Sequence, residues 1–97
     1  MIANVDAALV LTSVKEPDLS LNLLDKELAA IGHEGIEPII VLSKMDLLNS
    51  KELAKIKKLI KYYKKIGFDV ITNRQRFKLR RLIKGKTVVL TGQTGAG

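Results

Sequence analysis

"PIIVLSKMDLL", Pro38 to Leu48, joins a short aliphatic run to a polar loop. Ile39–Leu42 is uninterrupted and rich in branched side chains, which fits a strand buried on both faces, as inside a parallel sheet. "SKMDLLN" then leaves it as a loop. Three further runs have the same character: "AALVLT" (Ala7–Thr12) upstream, and "FDVI" (Phe68–Ile71) and "TVVL" (Thr87–Leu90) downstream.

The segments between these runs read as helices. Asp18 or Ser20 can cap one that runs to about Ile31, with Leu21, Leu24, Leu28 and Ile31 as its apolar stripe and Gly32 at its end. Asn49 or Ser50 starts a second that runs to about Ile66, and Glu52 three residues past Asn49 suggests a capping box. Leu53, Ile56, Leu59, Ile60 and Tyr63 face inward there, Lys51, Lys55, Lys58, Lys61 and Lys65 fall mostly on the other side, and Gly67 is the stop. "NRQRFKLRRLIKG" is a shorter helix expected to turn Phe77, Leu79 and Leu82 or Ile83 inward and to end at Gly85. Alternating strands and helices imply an α/β fold, a parallel sheet with helices on its faces. In such sheets ligands bind outside the carboxyl ends of the strands. The loop after the second strand and the glycine-rich tail after the fourth both belong to that edge.

Composition narrows the classes. At 97 residues one small domain is expected, and with 46% hydrophobic but only 4% aromatic residues its core is aliphatic. There is no cysteine, which excludes disulfides and thiolate metal sites and fits a reducing, cytoplasmic setting. No apolar run is long enough for a membrane helix, so no membrane association is expected. His33 has no partner at metal spacing and reads as a surface histidine. Asn4 and Asp6 read as residues that position the first strand. The net charge of +7 is unevenly placed. Residues 1–50 hold three lysines against eight carboxylates, while residues 51–86 hold fourteen Lys or Arg against Glu52 and Asp69. That asymmetry points to a polyanion such as RNA; a solvated lysine-rich helix is the plainer reading of the same run.

Two motifs carry chemistry. Gly92-Gln93-Thr94-Gly95-Ala96-Gly97 supplies the first six positions of G-x-x-x-x-G-K-[ST], in which glycines let backbone N–H groups wrap phosphates. A glycine-rich turn would match as well. Ser43-Lys44-Met45-Asp46 resembles the guanine-reading N-K-x-D of GTPases. An aspartate carboxylate can accept from both guanine N1–H and its exocyclic amine, a donor pair adenine lacks, and a lysine stem can lie along the base plane. Ser43 replaces the amide of the first position with a hydroxyl. A loop aspartate opening a turn is the bland alternative.

In ordinary GTPases the phosphate loop precedes N-K-x-D, and here the order is reversed. With "IANVDAALVLTS", "LSLNLLDKELAAI", "PIIVLSKMDLL" and "LIKGKTVVLTGQTGAG", the chain resembles the circularly permuted GTPases of the RsgA (YjeQ/YloQ) family, which act in assembly of the bacterial small ribosomal subunit. The resemblance spans nearly the whole chain and implies a partial three-layer, P-loop NTPase-like sheet of about four strands. It implies guanine contacts from Ser43, Lys44, Met45 and Asp46 and from the family's S-A position at Thr72 and Asn73, where the match is poor because "RQRFKL" replaces a glycine-containing stretch. Gly92, Gln93, Thr94, Gly95, Ala96 and Gly97 map onto the phosphate loop.

What the resemblance implies beyond these residues is an intact protein that binds GTP or GDP with Mg²⁺, hydrolyses GTP, and docks on the small ribosomal subunit and its rRNA. The loop's lysine and Ser/Thr, the switches and D-x-x-G would follow Gly97, so no catalytic residue is expected within residues 1–97 and hydrolysis by this chain alone is not. The family's OB-type domain and zinc-binding domain, with its zinc site, are not expected in it either. Two other readings stand beside this one: a P-loop ATPase of another family, and a basic RNA-binding module without nucleotide dependence.

Overall fold

The computed structural model describes residues 4–92. Its elements run β1 (Ala7–Ser13), α1 (Leu21–His33), β2 (Glu37–Ser43), a single 3₁₀ turn (Met45–Leu47), α2 (Ser50–Lys65), β3 (Asp69–Thr72), α3 (Arg76–Ile83) and β4 (Val88–Gly92). The strands form one parallel sheet in the order β3-β2-β1-β4. β1 and β2 are central and pair residue for residue from Ala7↔Glu37 to Ser13↔Ser43.

Each face of the sheet has its own core. Val10, Ile40, Leu42 and Val70 pack with Leu24 and Leu28 of α1 and Ile56 and Tyr63 of α2. On the opposite face Ala7, Leu9, Ile39 and Ile71 pack with Leu79, Leu82 and Ile83 of α3. The architecture is therefore three layers, with α1 and α2 on one side and α3 on the other. Ile39, Ile40, Leu24 and Ile71 are essentially sealed from water, each contributing about 1.5–3 kcal/mol by that burial.

Local chemistry sets the boundaries. Ser20 caps α1, its Oγ accepting from the Leu23 N–H at 3.3 Å. Asn49 caps α2 in a full capping box: Asn49 Oδ1 accepts from the Glu52 N–H at 2.8 Å, and Glu52 Oε1 accepts from the Asn49 N–H at 3.0 Å. α2 ends in a left-handed Gly67 (φ 109°), with the Phe68 N–H returning to the Tyr63 carbonyl at 3.0 Å and the Gly67 N–H to Lys64 at 3.1 Å. The Phe68 and Tyr63 rings meet edge to face at 5.9 Å, the apolar contact that accompanies this type of stop.

Three sequence expectations are corrected. Gly32 does not end α1. The helix continues to His33, and the residue with positive φ is Gly35 (75°), because the closing bonds run from Ile36 N–H to Ile31 O (3.2 Å) and from Gly35 N–H to Gly32 O (3.0 Å). Leu21 is 46% exposed, since the first residue of α1 lies at the rim of the core. Phe77 is 77% exposed, not inward. Leu79, Leu82 and Ile83 define the buried stripe of α3, and Phe77 lies two positions from Leu79, on the far side of the helix. Tyr63 is in the core as expected, and its hydroxyl donates to Asp25 Oδ1 at 2.7 Å. His33 is exposed. Asp6 does position the strands: its Oδ2 accepts from the Thr87 N–H at 2.8 Å, tying the start of β1 to that of β4.

Candidate functional site

All four strands are parallel, so the loops that follow β1, β2 and β3 and the end of β4 lie at one edge. β2 feeds a helix on one face and β3 feeds a helix on the other. A crevice at the carboxyl ends of two such neighbouring strands is the usual ligand position of open α/β sheets. The loops beside that crevice are Ser43–Asp46 and Thr72–Gln75.

Ser43 closes β2. Its Oγ donates to the Thr12 carbonyl at 3.4 Å, and its carbonyl accepts from the Val14 N–H at 3.2 Å, so the loop leaves the sheet braced against β1. Lys44 then adopts a left-handed conformation (φ 64°, ψ 30°), unusual for a residue with a long side chain and recurrent at binding sites. Its carbonyl accepts from the Leu47 N–H at 3.1 Å, and its ammonium donates to the Glu16 carbonyl. Met45 follows, 8% exposed and packed in the core beneath α1 and α2. A buried Met45 pins the turn, and Asp46 next to it is exposed. Among the described residues nothing donates a hydrogen bond to the Asp46 carboxylate.

The loop after β3 is tied to the same place. Asn73 Oδ1 accepts from the Met45 N–H at 3.2 Å, and the Asn73 N–H donates to the Leu42 carbonyl at 2.9 Å. Gln75 Oε1 accepts from the Thr72 N–H at 3.0 Å, and Thr72 Oγ1 accepts from the Arg74 N–H at 3.3 Å. Thr72 and Asn73, a poor match in sequence, thus sit beside Ser43–Asp46. The bracing roles of Glu16, Thr12 and Gln75 escape sequence reading. The Glu16 contact uses a main-chain carbonyl, which no side-chain pattern signals.

A cavity of about 420 Å³ opens beside this junction, lined among others by Asp46, Thr72, Arg74, Lys57 and Lys64. Its volume is in the range of small-molecule pockets. Burial, with Lys78 close by, pushes the Lys64 ammonium below the usual lysine range. A slightly larger cavity, about 470 Å³, lies between the first turns of α1 and α2 and contains no residue of either loop. Glu52, one of its lining residues, pairs with Lys15 at 2.9 Å. The Asn49 N–H and the Lys15 ammonium hold the Glu52 carboxyl below its ordinary range.

The glycine-rich tail is reached only at its first residue. Gly92 ends β4 opposite Leu11 of β1, and a Cβ there would collide with the Leu11 carbonyl oxygen. Gln93, Thr94, Gly95, Ala96 and Gly97 lie outside the described residues. β4 is two strands from β2, about 10 Å at ordinary strand spacing, which is comparable to the reach from a purine to its β-phosphate. Among the described residues no group of His, Cys, Asp or Glu could hold a metal, and no helix is long and apolar enough to cross a membrane.

Comparison with known proteins places this geometry. The family described as RsgA GTPase matches residues 1–97. The chain is 47% identical over 103 residues to the small ribosomal subunit biogenesis GTPase RsgA of Limosilactobacillus fermentum, covering 100% of this chain and 35% of that protein. It is 44% identical over 96 residues to the protein of the same name from Streptococcus pneumoniae, covering 99% and 32%. Among solved structures it superimposes on YloQ, a circularly permuted GTPase, with a TM-score of 0.83 at 34% identity, over 97% of this chain and 35% of that one. YjeQ from Thermotoga maritima matches with a TM-score of 0.86 at 28% identity, over 99% and 36%. The chain spans about a third of the length of the relatives it matches.

Proposed function

The chain belongs to the RsgA GTPase family, and from that premise we propose that it forms the guanine-reading part of a GTP site in a ribosome-assembly GTPase. Asp46 would accept from guanine N1–H and the exocyclic amine, and the Lys44 stem would lie along the base. Met45, through its main chain, would hold Thr72 and Asn73 at the site. Ser43 would act chiefly as a brace, since its hydroxyl is engaged with Thr12. Gly92 to Gly97 would begin the phosphate loop, within a GTPase domain whose guanine motif comes first. The observation that carries the reading is the Met45–Asn73 bond, which joins the two loops and leaves the Asp46 carboxylate open.

The intact protein would bind GTP or GDP and hydrolyse GTP by attack of water in the cytoplasm, and the names of its relatives, small ribosomal subunit biogenesis GTPases, support a role in assembly of that subunit. Mg²⁺ would neutralise phosphate charge there. The described residues offer no ligand set for it, and the hydroxyl that holds it in this motif is the second residue after the sixth position, past Gly97. The cationic stretch 51–86 would meet rRNA phosphates, with no sequence-specific contact to base edges.

The test is competition for fluorescent GDP by GDP, ADP and XDP on the full-length protein. Selective competition by GDP in the wild type, passing to XDP in Asp46→Asn, is expected, because xanthine carries a carbonyl where guanine carries its amine. Equal competition by ADP would reduce the assignment to a P-loop nucleotide site of another family.

A further inference from the structure

Among the described residues Phe77 is the most exposed of the large apolar side chains, at 77%, and its surroundings are one-signed. Helical spacing puts Arg80, Arg81 and Lys84 on its side of α3, opposite Leu79, Leu82 and Ile83. All four are exposed. The Arg80 guanidinium lies 5.9 Å from the centre of the Phe77 ring, within cation–π range. From Val70 to Gly97 the sequence has seven cationic side chains and no carboxylate. Of these, Lys86 is paired with Glu37 at 3.3 Å. No ion pair among the described residues engages Arg74, Arg76, Arg80 or Arg81.

A single exposed aromatic needs no explanation, but this one has guanidiniums for neighbours and a rigid helix beneath it. An apolar protein partner would have to desolvate Arg80 and Arg81 without pairing them, which is costly. A duplex would use the charges but not the ring, because its bases are stacked inward. Unpaired RNA uses both: the ring takes a base face, and the guanidiniums take the flanking phosphates.

We propose that the outer face of α3 is a landing platform for single-stranded RNA, with one unpaired base stacked on Phe77 beside Arg80 and its flanking phosphates on Arg81 and Lys84. This rests on the reading that RNA is a partner of the protein, and it adds the element, the strandedness and the residue that reads a base plane. None of its residues is assigned to the nucleotide site.

The experiment is anisotropy of a labelled, unstructured single-stranded RNA, and of a hairpin duplex, on the full-length protein across a salt series. Phe77→Leu keeps the apolar bulk but removes the π-face. It is expected to weaken single-strand binding about tenfold, with the salt slope, duplex binding and GDP affinity unchanged, and Phe77→Tyr is expected to restore it. Arg81→Gln should lower the salt slope by about 0.7, one phosphate contact fewer. Wild-type-like binding by Phe77→Leu overturns the platform while leaving RNA as a partner. So does a fall in the melting temperature of Phe77→Leu at unchanged RNA affinity, since the ring would then be covered by another part of the protein. Absence of salt-dependent RNA binding in the wild type overturns the RNA reading and the platform together.

Discussion

Asp46 owes its availability to the residue before it. Met45 spends its side chain in the core and its N–H on Asn73, so the next side chain emerges into solvent on a turn that cannot drift. In the reading proposed here, Asp46→Asn therefore changes base preference and little else: guanine affinity should fall at least tenfold and xanthine affinity rise, with the melting temperature unchanged, in a GDP and XDP titration beside a thermal melt. Asn73→Ala removes the acceptor of the Met45 N–H and should weaken GDP through loop position, by roughly 1 kcal/mol, the scale of one hydrogen bond. Gly92 is constrained differently. A methyl there meets the Leu11 carbonyl and Cβ, so Gly92→Ala should cost about 1–3 kcal/mol by overpacking. The cost should be read as lost protection of β4 amides in hydrogen exchange together with weaker GDP binding.

The helices are held by their ends and by one face each. The capping box at Asn49 satisfies two main-chain donors, and Asn49→Ala should cost about 1 kcal/mol. That is roughly fivefold faster exchange of first-turn α2 amides under conditions where local opening limits exchange. α1 contains a mismatch: Glu27 Oε2 is buried with no hydrogen-bond partner among the described residues, and burial raises the Glu27 carboxyl above the usual range. A carboxyl raised in the folded state favours folding when protonated, so its cost is absent below the unfolded value, near 4.3, and grows as pH rises through the raised one. Glu27→Gln should accordingly raise the melting temperature at pH 7 and leave it nearly unchanged at pH 4, in paired melts at the two values. α3 turns a stripe of Leu79, Leu82 and Ile83 inward and Phe77 outward. The sequence suggests a helix there clearly enough, but a hydrophobic residue at its start attracts an inward assignment that the 3.6-residue period does not support.

At the scale of the molecule, the sheet order among the described residues puts β1 and β2 in the middle and β3 and β4 at the edges. Residues 7–13 and 37–43 should be the slowest to exchange in native-state hydrogen exchange, with Val88–Gly92 faster, because Leu90 on β4 is 64% exposed while Val10 and Ile39 are sealed. The same order places the loops after β2 and β3 side by side and starts the glycine-rich segment two strands away. α2 and α3 on opposite faces open the crevice between the β2 and β3 loops.

Residue order alone determined that four aliphatic runs alternate with three amphipathic segments, because buried parallel strands must be apolar on both faces and surface helices on one. It also carried the Asn49 cap, the Gly67 and Gly85 stops and the candidate loop at Ser43–Asp46, all set by neighbours a few positions apart. Only the tertiary structure decided that Thr72 and Asn73 stand beside Asp46, that Lys44 adopts a left-handed turn and reaches the Glu16 carbonyl, and that Phe77 faces out. Those outcomes depend on contacts between residues some thirty apart in the chain, or on which of two helix faces meets the sheet. Local periodicity contains no information about strand order, and strand order is what brought these residues together.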